Sequence, residues 1–150
     1  MSFSKRIRIV GLVGILALGA YHLGHQISTR LDTNIPVSGS SMEPLIYDGD
    51  KVTITRFTNK PPSINIGDIV LALAPNTGER ILKQVYGLPG QTLTFTTGKK
   101  QILQPGEYWL QGQNLALSQD SRHHGPVTQL IGKVILINNH KLQKQLLYFK

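Results

Sequence analysis

Beyond residue 32 nearly every apolar stretch reads as a strand, and each one is short. "KVTITRF" (51–57) alternates between the two faces of a strand. "DIVLALA" (68–74) is apolar almost without a break, the pattern of a strand buried on both faces. "RILKQVYG", "QTLTF", "EYWLQG" and "LIGKVILI" follow. Between them lie "PPSINIG", "APNTGE", "LPG", "TTGKK" and "QPG", rich in residues that end strands and make turns. Such a series implies a mostly β fold, a compact antiparallel barrel or paired sheets. The chain has 150 residues, room for one such domain with a sizeable core. The tail "NNHKLQKQLLYFK" is amphipathic and fits either a last strand or a short helix.

Residues 9–24, "IVGLVGILALGAYHLG", are uncharged and mostly apolar. A bilayer span needs about 20 residues, and Arg8 and His25 could snorkel to make up the length. A cleavable signal peptide is the rival, with small residues in "ALGA". A polar stretch follows before the strands begin, which favours an anchor. Lys5, Arg6 and Arg8 precede the span. The charge rule then puts residues 31–150 across the membrane from the N-terminus. Residues 1–30 are thus expected to be a basic segment with an anchoring helix, and residues 31–150 the working domain.

Net charge is +8, but Lys5, Arg6, Arg8 and Arg30 supply half of it. The other twelve basic residues face eight acidic ones, ordinary for a domain beside anionic headgroups. They are scattered and not interleaved with aromatics, so no nucleic-acid partner is expected. The absence of cysteine removes disulfides, thiolate zinc sites and a cysteine nucleophile. There is no HExxH, no phosphate-binding glycine loop and no GxSxG elbow, and neither metal nor cofactor is expected.

In "RILKQVYGLPG" (80–90), Lys83 stands between Ile81 and Val85 on a face made for burial. Either it sits on an edge strand and snorkels to water, or it is desolvated and kept neutral as a base. "SGSSMEPLIYDGD" (38–50) mixes turn residues with an apolar interruption. "GQNLALSQDSRHHGPV" (112–127) places Ser118, Asp120 and Arg122 on one side if the segment is extended. Asp120 and Arg122 could pair, either as a surface couple or as a brace. His123 and His124 beside Asp120 leave a Ser-His-Asp triad conceivable, with an exposed polar pair as the plainer reading.

Together these stretches resemble the type I signal peptidases, over roughly residues 35–137. "SGSSMEP" resembles the nucleophile box, "GDIV" a structural box, "LKQVYGLPG" the lysine box and "GQN....S.DSR..GPV" the last box. Single boxes would be weak; four in order behind one anchor are specific. Ser41 and Lys83 are 42 residues apart, leaving no room for the large second domain of many bacterial members. The chain looks most like the mitochondrial inner membrane peptidases, with a compact bacterial or plastid signal peptidase as the alternative. A non-catalytic anchored subunit and a self-cleaving repressor-type protease are rivals from other classes.

The resemblance implies a serine-lysine dyad, with Ser41 as nucleophile and Lys83 as general base. Ser118 would orient the Lys83 amine, and Asp120 and Arg122 would brace its loop. The Ser41 N–H would stabilise the oxyanion. Gly39 stands where some members have a serine that adds a side-chain donor, which leaves Ser38 or Ser40 as the alternatives for that role. Val37, Met42, Ile81 and Leu82 would wall shallow apolar pockets for the substrate. Implied partners are precursor proteins with cleavable sorting signals, membrane lipid and a second, homologous subunit. The family commonly has Lys-Arg and Gly-Asp-Asn where this chain has Lys83-Gln84 and Gly112-Gln113-Asn114. Two opposite charges have both become glutamine, so Gln84 and Gln113 are expected to touch.

Overall fold

The computed structural model describes residues 34–58, 61 and 63–139. The expected anchor in residues 1–30 lies outside them, and so does the tail from residue 140. Among the described residues no helix is long and apolar enough to cross a membrane. In chain order the elements are β1 (Asn34–Pro36), β2 (Lys51–Arg56), β3 (Ile69–Leu73), β4 (Arg80–Gly87), β5 (Thr92–Thr94), β6 (Lys100–Ile102), β7 (Trp109–Gln111), α1 (Ser121–His124) and β8 (Leu130–Asn138).

The fold is mostly β and antiparallel, as the turn-punctuated pattern implies. Six strands form one sheet in the order β1-β2-β8-β3-β4-β7, and β5-β6 is a separate hairpin. The barrel expectation fails. β1 and β7 are the two edges and do not pair with each other. Each is only three residues long, and Pro36 removes an N–H from β1, so neither edge carries a ladder across to the other. The segments that follow these edges do meet, through a 3.0 Å bond from Asn114 N–H to the Ser41 carbonyl.

β3 lies between β8 and β4, and its unbroken apolar run follows from that position. Leu71 joins a cluster with Met42, Ile46, Val52 and Ile54. Its neighbours Val70 and Ala72 point the other way, into a cluster with Val85, Leu110 and Val127. One central strand therefore serves a core on each face. Burying a side chain of this size contributes about 1.5–3 kcal/mol.

Candidate active site

Strand alternation sets the place of Lys83. On β4 it lies opposite Val70 and shares the face of Ile81 and Val85. It is only 4% exposed, so the snorkelling reading fails. Its Nζ lies 2.7 Å from Ser41 Oγ. Burial lowers the pKa of the amine below its ordinary 10.5, while the charge of Asp120 works in the opposite direction without restoring it. A charged amine can only donate to the hydroxyl. A neutral one can accept its proton.

Ser41 sits on the 37–50 loop, and that loop is held at several points. Met42 and Ile46 are buried in the first core, at 1% and 0% exposure. The Met42 carbonyl accepts from both Leu45 N–H and Ile46 N–H at 3.0 Å. Buried Asp50 accepts from Tyr47 N–H at 2.9 Å, and Asp48 accepts from Gly39 N–H at 2.8 Å. Gly39 has φ +93°, a left-handed conformation that glycine adopts freely. Among the described residues no acceptor takes the Ser41 N–H.

The 112–124 stretch forms the third part of the site. Past Asp120 it turns helical, with Asp120 capping the short helix α1. Its carboxylate is fully buried and accepts from Ser118 Oγ at 2.7 Å, Gly112 N–H at 2.9 Å and Arg122 Nε at 2.9 Å. Burial pushes this carboxyl up, but the hydrogen bonds from Arg122, Gly112 and Ser118 outweigh it and hold it at about 2. The same bond raises the pKa of Arg122, which also donates to the Leu115 carbonyl at 2.9 Å. The surface-pair reading of Asp120 and Arg122 therefore fails. The hydroxyl of Ser118 donates to Asp120, and among the described residues no hydrogen bond joins it to the Lys83 amine.

Gly112 opens the last box, and the space around it gives it a task that its place in the sequence does not reveal. A Cβ there would lie 2.2 Å from Ser118 Oγ and 2.5 Å from the Ser41 carbonyl oxygen. Only hydrogen fits where these two loops converge. The available signal was a glycine ending a strand directly before a polar loop.

The four expected substrate-wall residues do not form one wall. Met42 is buried core. Val37 and Leu82 pack partly buried on the same cluster, whereas Ile81 belongs to the opposite face. Met42 thus supports the nucleophile loop from beneath, because its neighbour Ser41 has to face the site. The expected glutamine pair is present, with Gln113 Nε2 donating to Gln84 Oε1. Gln84 Nε2 donates in turn to the Gly67 carbonyl at 2.9 Å. The triad is not assembled. His123 Nδ1 accepts from Asp120 N–H at 3.4 Å, while the Ser41 hydroxyl meets Lys83. Among the described residues no three His, Asp or Glu side chains gather as metal ligands would.

A serine hydroxyl against a buried amine, inside a mostly β unit, is an arrangement fitted to acyl transfer without histidine. The chain belongs to the signal peptidase family, peptidase S26, whose model matches residues 7–102. That match includes Ser41 and Lys83 and ends before Ser118. Mitochondrial ATP-independent inner membrane protease subunit 1a of Arabidopsis thaliana is 36% identical over 67% of this chain and 66% of its own length. Mitochondrial inner membrane protease subunit 1 of Schizosaccharomyces pombe is 35% identical over 69% of each. The Xenopus tropicalis subunit 1 is 38% identical over 80% of this chain and 77% of its own length. The chain thus spans about two thirds of the first two relatives.

Proposed function

We propose that this chain is a serine endopeptidase that removes sorting sequences from precursor proteins. The carrying observation is the 2.7 Å contact between Ser41 Oγ and the buried Lys83 amine. Neutral Lys83 takes the Ser41 proton as Oγ attacks the scissile carbonyl. The Ser41 N–H, which no acceptor takes among the described residues, binds the oxyanion in this reading. Protonated Lys83 then gives its proton to the leaving amine. In the second half it activates the water that hydrolyses the acyl-enzyme. Ser118, Asp120 and Arg122 are positioning residues that fix the wall around the lysine. Gly39 offers no side-chain donor to the oxyanion, and its N–H is tied to Asp48.

The names of the relatives support the mitochondrial inner membrane as the place of work. In this reading residues 1–30 anchor the chain, residues 31–150 face the intermembrane space, and a second homologous subunit stands beside it. Protease protection of tagged mitochondria tests this topology, and release of the intact chain by carbonate washing would refute the anchor.

For the chemistry, Ser41→Ala and Lys83→Ala should each abolish precursor cleavage by the full chain. Lys83→Arg should fail too, since arginine does not shed its proton. His123→Ala with His124→Ala should retain cleavage. Abolished cleavage in that folded double variant would refute the dyad, and cleavage persisting in Ser41→Ala would mean that another group or subunit supplies the nucleophile.

A further inference from the structure

A pocket opens between the β3–β4 turn and α1, beside the dyad but separate from it. Ala74 and Ile81 give it an aliphatic wall, and Asn76, Glu79, Gln119 and His124 give it polar groups. Two of these residues tie it to the site. Ile81 precedes Lys83 by two residues on the same face of β4, about 7 Å along the strand. Gln119 lies between Ser118 and Asp120, whose side chains bond to each other.

Beside the donors that Asn76, Gln119 and His123 carry, two acceptors of the pocket stand out. His124 Nδ1 is 3.1 Å from the Gly125 carbonyl, which can only accept, so Nδ1 carries the hydrogen. In the neutral ring Nε2 is then an acceptor. That Nε2 is buried and has no hydrogen-bond partner among the described residues. Glu79 adds a carboxylate, and its own hydrogen bonds in this turn run through its backbone. An aliphatic wall leading to a carboxylate and a free imidazole nitrogen suits a long stem ending in a donor.

We infer that this pocket is a specificity subsite for a lysine or arginine side chain of the precursor, within about three residues of the scissile bond. The inference rests on the peptidase reading above. The stem lies along Ala74 and Ile81, and the cationic head meets Glu79 and His124 Nε2. An extended substrate presents alternate side chains to one face at the same spacing that separates Ile81 from Lys83, which limits the position.

The test uses the full chain in detergent and peptides scanned from three residues before the cut to three after it. Each position carries Lys, Arg, Met or Gln in turn. At one position Lys and Arg should raise kcat/KM about threefold over Met, the range expected for an exposed charge pair. Glu79→Gln and His124→Phe should each bring that ratio toward one and leave the Met peptide unchanged. Glu79 is exposed, so its variant folds whatever becomes of His124. The subsite is refuted if no position prefers a basic residue, or if the preference survives both changes. If the wild-type chain cleaves no peptide of either kind, the peptidase reading falls and the subsite falls with it.

Discussion

Lys83 is the residue on which the chemistry turns, and its burial has two measurable consequences. Desolvation lowers its pKa below 10.5, so the fraction able to accept a proton grows as pH rises. The acid limb of kcat/KM should therefore titrate below the ordinary lysine range, and a limb at or above 10.5 would contradict a desolvated base. The stability consequence has the same direction. Between the folded and unfolded pKa values the unfolded chain binds more protons, so stability rises with pH across that window. At neutral pH the buried amine costs stability. Lys83→Met should therefore raise the melting temperature at pH 7 while abolishing cleavage, with little gain above pH 10.5. A variant that melts lower at pH 7 would mean that the amine holds the fold together.

At the scale of elements, the β4 strand was legible and the loops around it less so. The alternation around Lys83 and the unbroken apolar run of β3 placed both strands and their faces. The short helix α1 was not legible, because its N-cap Asp120 also reads as one of three residues sharing a strand face. Strand β1 escaped because three residues carry too little periodicity. The burial of Met42 could not be read, since whether it faces core or substrate depends on how its loop folds back. Gly112→Ala tests the convergence of loops directly. The added methyl would displace Ser118 or the Ser41 carbonyl, so kcat should fall by at least about tenfold, as a misplacement near 1 Å can cost a hundredfold. An unchanged kcat would show that the loops yield. The Gln84–Gln113 pair predicts coupling. Gln84→Arg with Gln113→Asp should melt closer to wild type than the single changes imply, by about 0.5 kcal/mol or more. Simple additivity in denaturant melts would remove the pair from any positioning role.

Across the whole molecule the site depends on the sheet, and the sheet on one central strand. Leu71→Ala should cost about 2–5 kcal/mol in a denaturant titration, since it opens the core that also holds Met42 and Ile46. A cost under 1 kcal/mol would mean that this core does not depend on β3. Acid acts on the same framework through Asp120. Its pKa of about 2 lies below the ordinary 3.8, so its stabilisation is complete above about pH 5 and lost as pH falls toward 2. That loss is roughly 2 kcal/mol, and Asp120→Asn should flatten the acid limb of stability by that amount.

The bond from Asn114 to the Ser41 carbonyl also bears on timing. Chains emerge from the ribosome N-terminus first. A nascent chain displayed only as far as β6 already carries Ser41 and Lys83. It lacks Gly112, Asn114 and Asp120, which hold the nucleophile loop and wall the lysine. The two reactive groups are thus made early and brought to bear late, so an unfinished chain carries the dyad without the site that makes it work.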